Sequence, residues 1–213
     1  MSLVIAMAAS REAVIGADRR AIAFWGSCPK LEEELYSGQI ENDQKLAGRA
    51  RELGAILHIS DSREKVWRRG DLLVGDVTEL SAKLSRRRRI YLAPGASLQV
   101  DITSGEDAGT EGAGSKGAGG EAKIRAWDGM GCIVFGNRFT QKLAYEEAGR
   151  AGGRVNEPLI KSILEKAGDK TASVSREYII LRSDVKQSDP KVALLKALEE
   201  DCKESGWRLC APQ

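Results

Sequence analysis

Two apolar runs open the chain, residues 2–9 (SLVIAMAA) and 13–18 (AVIGAD), with only Ser10-Arg11-Glu12 between them. Three residues cannot hold the crossover helix that parallel pairing requires, but they suit a hairpin. The fold therefore begins with an antiparallel pair. Further strand-like pieces lie at 55–59, 65–67, 72–77, 88–93 and 97–103. Strands at 123–127 and 131–135 lead into a helix over 138–150, which Gly152-Gly153 breaks, and a second helix over 158–167 with Asn156 near its cap. A strand at 176–182 precedes a last helix that starts at Asp189-Pro190, where proline suits the first turn, and runs to about Ser205. Between the opening hairpin and the next strand, residues 31–53 are polar and helix-permissive. Leu46, Ala50 and Leu53 recur there at helical spacing, and Gly54 follows as a C-cap candidate. Antiparallel strands, two consecutive helices, a strand and a helix predict a layered α+β fold rather than a βαβ repeat. One domain over 1–213 is expected.

Several function classes drop out. A formal net charge of +2 gives no basic stripe for nucleic acid. No apolar run approaches the roughly 18 residues that cross a bilayer, and the start lacks a secretory signal, so a cytoplasmic protein with no membrane insertion is expected. Cys28, Cys132, Cys202 and Cys210 show no CxxC spacing and read as reduced, structural thiols. The sole histidine, His58, sits in the apolar run Ala55-Ile56-Leu57-His58-Ile59 and reads as a strand residue. A zinc site needs more N/S ligands than that. Residues 104–122 hold seven glycines in nineteen positions. They lack the GKS/T of a phosphate cradle and read as a flexible surface loop between two strands. No cofactor is expected. Arg86-Arg87-Arg88-Arg89 either binds an anion or an acidic peptide, or is an exposed strand edge that discourages sheet-to-sheet pairing; the edge is the reading adopted.

Catalysis without a usable histidine needs another base. Methionine aminopeptidases remove Met1 when the next residue is small, which would leave Ser2 at the terminus. Its hydroxyl and free amine then share one residue. The reference pKa of such an amine is about 7.7–8.0, close to working pH, so it can accept the hydroxyl proton.

The stretch Ser2-Leu3-Val4-Ile5-Ala6, a tight turn, and Ala13-Val14-Ile15-Gly16-Ala17-Asp18-Arg19-Arg20-Ala21 resembles the start of proteasome β subunits, which are N-terminal-nucleophile hydrolases. The resemblance implies an αββα sandwich of mainly antiparallel sheets. It makes Ser2 the nucleophile, and Asp18 and Arg20 fall at family positions. Lys65, in Lys65-Val66-Trp67, takes the place of the buried lysine that lowers the hydroxyl pKa. Gly75 would offer its backbone N–H to the oxyanion. Gly136-Asn137 takes the place of a Gly-Ser before the third family helix, which makes Asn137 a site residue, and Asp169, with Thr171 or Ser173 nearby, resembles the Asp and Ser that brace the terminal amine.

Within that superfamily the chain is most similar to the Connectase family of methanogenic archaea. The shared features are the Ser2-Leu3-Val4 start, Gly16-Ala17-Asp18-Arg19-Arg20, and an insertion at about 31–54 that contains Glu33-Glu34-Leu35-Tyr36-Ser37-Gly38. A shortened middle adds to these: about a dozen residues separate Val77 from the strand near Ile90, where proteasome subunits carry two long helices. The resemblance implies a protein ligase, or transpeptidase, that cleaves before the Asp of a Lys-Asp-Pro-Gly-Ala motif and rejoins the upstream part to another amine. The implied partner is one of the polypeptides of the methyltetrahydromethanopterin:coenzyme M methyltransferase. The residues alone leave open a hydrolytic relative, or a binding protein that kept the fold without catalysis. With the middle helices missing and the insertion present, ring contacts would change, and a monomer is expected.

Overall fold

The opening hairpin is present, with β1 (Val4–Ala8) and β2 (Ala13–Asp18) paired antiparallel from Val4↔Ala17 to Ala8↔Ala13. The structure, a computed structural model, describes residues 3–26, 28–81, 84–103, 120–152 and 156–210. Residues 104–119, most of the expected Gly-rich loop, lie outside that set. Every residue of β1 and β2 is buried, which explains why both read as nearly unbroken apolar runs. Alternation sorts their side chains. Leu3, Ile5, Met7 and Val14 face one layer, and Val4, Ala6, Ala8, Ala13, Ile15 and Ala17 face another.

The next elements are β3 (Ala21–Trp25), α1 (Pro29–Tyr36), α2 (Asp43–Glu52) and β4 (Ile56–Ser60). Strands β3 and β4 form a separate antiparallel pair that carries the two helices as an insertion. The helix-permissive stretch is thus two helices. Gly38, at φ +82°, turns the chain after α1, and Asn42 caps α2 by accepting from the Lys45 N–H. Leu31, Leu35, Ile40, Leu46 and Ala50 form the insertion's own small core, with Ala172 added from elsewhere.

A second sheet follows: β5 (Val66–Arg69), β6 (Leu72–Ser81), β7 (Leu84–Ala93), β8 (Ala96–Thr103) and β9 (Glu121–Asp128). Then come β10 (Gly131–Phe135), α3 (Arg138–Arg150), α4 (Glu157–Lys170), β11 (Tyr178–Ser183), α5 (Pro190–Ser205) and β12 (Arg208–Cys210). The smaller sheet has the order β10-β1-β2-β11, and the larger β12-β9-β8-β7-β6-β5. Pairing is antiparallel throughout both, except that β12 runs parallel to β9.

Three cores define the layers. Leu3, Ile5 and Val14 pack under α3 and α4 with Leu143, Ile160 and Leu164. Val4, Ala6 and Ile15 meet Leu73, Val77, Ile90 and Leu92 between the sheets. The far face of the larger sheet, with Val74, Tyr91 and Leu98, is covered by Leu194 and Leu198 of α5. The order is helices, sheet, sheet, helix. It is an α+β architecture.

The arginine run is corrected. β7 lies between β6 and β8, not at an edge, and Arg89 is only 5% exposed. Its guanidinium bonds Asp76 at 2.9 Å and also Asp201 of α5, between the rings of Trp67 and Trp207. Two carboxylates and two aromatic faces replace the water that would solvate an arginine on an exposed edge.

Candidate active site

The end of β2 and the beginning of β1 meet at one carboxylate. Asp18 is fully buried, and its N–H donates to the Leu3 carbonyl at 3.2 Å. Its Oδ1 accepts from the Leu3 N–H and from Lys65 Nζ, both at 2.8 Å. Its Oδ2 accepts from the Arg20 N–H at 2.8 Å and the Ser175 N–H at 3.3 Å. Three backbone donors and one ammonium therefore fill the carboxylate, as a buried anion requires. Lys65 precedes β5 and is 2% exposed. Burial pushes its amine below the ordinary lysine value, while Asp18 opposes that shift.

Arg20 holds the surroundings. Its Nε and Nη2 grip Asp61 at 2.9 Å each, and it also bonds Asp43, the first residue of α2, at 2.5 and 3.1 Å. Nη1 donates to the Ala172 carbonyl at 2.8 Å as well. The guanidinium pKa is raised, chiefly by its bond to Asp61, and Asp61 is lowered in turn by Arg20. One side chain thus joins the hairpin, the insertion, the β4–β5 link and the segment after α4.

That last segment brings buried hydroxyls. Thr171 Oγ1 and Ser173 Oγ lie 3.0 Å apart, and Asn137 Nδ2 donates to Ser173 Oγ at 3.1 Å. Asn137 also caps α3 by accepting from the Thr140 N–H at 2.8 Å. Because Phe135 pairs with Val4, the chain continuing from β10 through Gly136 to Asn137 passes the start of β1. Residue 2 itself lies outside the described residues, but Leu3, to which it is joined, is the residue held by Asp18.

The family described as "Connectase MJ0548-like, N-terminal domain" matches residues 1–203. The chain belongs to the Connectase family. No curated protein matches it. Among solved structures it is similar to Thiobacillus denitrificans BPH in complex with epoxomicin, at 11% identity and a TM-score of 0.47. A second structure of Thiobacillus denitrificans BPH gives 11% and 0.46. Both alignments cover 87% of this chain and 100% of the other.

Two of the expected site residues of this Connectase-family chain stand apart from the cluster. Asp76 N–H donates to the Lys65 carbonyl at 2.8 Å, so alternation along β6 turns the Gly75 amide the other way, toward Ile90 of β7. An added Cβ at Gly75 would lie 2.5 Å from Ile15 Cδ1 and 3.2 Å from both Ile90 and Val4. This glycine makes room for packing between the sheets, and its amide is directed into the ladder rather than at an oxyanion. Asp169 is solvent-exposed near the end of α4 and pairs with Arg176 at 3.1 Å. The buried hydroxyls beside Asn137 are those of Ser173 and Thr171 instead. Sequence reasoning missed Asp43, Asp61 and Ser175. Asn42-Asp43 does carry a helix-start signal, but nothing local ties it to Arg20. His58 lies in β4, where its ring meets Trp25 edge-to-face at 6.3 Å. All four cysteines are free thiols.

Proposed function

We propose that this chain is a protein ligase, or transpeptidase, of the N-terminal-nucleophile type, with Ser2 as nucleophile once Met1 is removed. Membership of the Connectase family supports the reaction class. The observation that carries the assignment of residues is the shared oxygen: Asp18 Oδ1 holds both the Leu3 amide and the Lys65 ammonium. A nucleophile one residue before Leu3 would stand beside a buried cation whose pKa is already depressed. The four-layer order agrees with the αββα sandwich of such enzymes.

In the proposed sequence, Ser2 Oγ attacks the carbonyl carbon of the scissile bond and its proton passes to the Ser2 amine. Lys65 supplies positive potential that favours the alkoxide. The C–N bond breaks, the proton moves to the leaving nitrogen, and the upstream peptide remains as an ester on Ser2. An incoming peptide amine attacks the ester, loses a proton to the Ser2 amine and restores the Ser2 hydroxyl. Asp18 fixes Lys65, Arg20 fixes the segments around Asp18, and Asn137 with Ser173 braces the amine. Preference for an amine over water rests on the family. So do the Lys-Asp-Pro-Gly-Ala motif and the methyltransferase polypeptide as substrate.

Intact mass spectrometry tests this. The mature protein mixed with a motif peptide should gain the mass of the upstream fragment, and Ser2→Ala should not. A second peptide bearing the downstream N-terminus should yield a rejoined product. Accumulation of the free acid alone would make the protein a hydrolase, and no adduct at all would leave it a binding protein.

A further inference from the structure

The smaller sheet ends at β10, and among the described residues no strand pairs with its outer side. Backbone parity shows which groups are left there. Leu3 and Asp18 share an N–H···O bond, so Leu3, Ile5 and Met7 turn their backbone groups toward β2, while Val4, Ala6 and Ala8 turn theirs toward β10. The register Val4↔Phe135, Ala6↔Ile133 and Ala8↔Gly131 then satisfies those three β10 residues. The N–H and C=O groups of Cys132 and Val134 point out of the sheet.

Beside that edge lies a cleft of about 410 Å³. Its floor is polar because it is lined by charged and amide side chains of β7, β8 and β9 of the larger sheet. Arg88, Gln99, Arg125 and Asp128 form the floor, and Met130 and Tyr145 stand at the rim, 68% and 51% exposed. Gln99 Nε2 binds Asp128 Oδ2 at 2.7 Å, and Arg88 lies over the Phe135 ring at 5.1 Å. Arg125 is half exposed and approaches Asp101 only to 3.9 Å. The cleft ends at Phe135, whose partner Val4 follows the Leu3 held by Asp18. A sheet edge that is unpaired among the described residues, over a polar floor of mixed charge and leading to the proposed reacting centre, has the features that strand addition uses.

We propose that β10 is a docking edge for the peptide substrate. An extended segment adds as a further strand, bonding Cys132 and Val134. Alternate side chains turn to the floor, where the half-exposed Arg125 favours acidic residues, and the others turn toward Tyr145 and α3. At about 3.3 Å per residue, β10 reads on the order of five substrate residues next to the reacting bond. This rests on the reading of the chain as a peptide-bond-forming enzyme.

Anisotropy with a labelled long peptide centred on the Lys-Asp-Pro-Gly-Ala motif tests the edge, using Ser2→Ala so that chemistry does not intervene. N-methylation at successive backbone positions should cost about ten-fold in affinity at alternate residues and little between them, because only alternate amides face a neighbouring strand. Val134→Pro, which removes an outward N–H that β1 does not use, should weaken the unmodified peptide and flatten that alternation. Arg125→Glu should weaken peptides with acidic floor-facing residues and be rescued by lysine at those positions. Should Val134→Pro fail to fold, the N-methyl scan on the parent decides alone. A flat scan while the mature enzyme still acylates with the same peptide overturns the docking edge and leaves the function standing. Failure to bind and to acylate overturns both.

Discussion

Breaking the Asp18–Lys65 pair from each side should produce two large and non-additive losses of stability. The side chains are 0% and 1% exposed and 2.8 Å apart. Removing one member of such a pair typically costs about 3–5 kcal/mol, because the other charge is left buried. In Lys65→Met the carboxylate keeps its three backbone donors, from Leu3, Arg20 and Ser175, which puts that variant at the low end. In Asp18→Asn one amide NH2 must face N–H groups that already donate, and the ammonium loses its bond to Asp18. The double variant buries no charge, so its loss should be smaller than the sum of the singles by at least about 2 kcal/mol. Urea denaturation followed by tryptophan fluorescence measures all four proteins. The pH dependence has a defined sign. Burial lowers the folded-state pKa of Lys65 from its ordinary 10.5, so between those values the unfolded chain binds more protons and stability rises with pH. Asp18→Asn removes the opposing pull and extends that window to lower pH, so its deficit shrinks as pH approaches 10.5. Singles that add to within about 0.5 kcal/mol would refute the coupling.

Gly75→Ala should cost about 1–3 kcal/mol through overpacking against Ile15 Cδ1, read as a lower melting temperature with the adduct still formed by the folded fraction. An unchanged melt with lost adduct formation would return Gly75 to the chemistry. Asp169→Ala should change stability by less than about 0.5 kcal/mol and leave the acylation rate intact, since the carboxylate is exposed; a large rate loss would contradict that placement. Arg20→Lys should cost about 2 kcal/mol or more, because an ammonium cannot grip Asp61 and Asp43 with two forks. A thermal melt matching the parent would show that the contacts contribute little.

Local signals were legible where caps and periodicity agree. The helix over 138–150 and the one beginning at Pro190 coincide with α3 and α5, because Asn137 and Asp189 cap them with side-chain oxygens. The short strands β3 and β12 escaped detection. β3 follows directly on Asp18-Arg19-Arg20, which reads as the end of a strand rather than a link between two. The arginine run misled because composition cannot show that Asp76, Asp201 and two tryptophans converge on Arg89. In the site, Asp18 and Lys65 lie 47 positions apart, and only resemblance to a family linked them. Asp61 and Ser175 reach the site through tertiary folding and carry no motif of their own.

The Arg20 bridge gives the inserted helices a mechanical consequence. Asp43 begins α2, and the guanidinium it grips belongs to the residue whose amide steadies Asp18. A load applied to the outer helix is thus passed through one planar group to the foundation of the proposed reactive end. Grafting a different segment between β3 and β4 would therefore detune that foundation unless the graft also returned a carboxylate to the same spot.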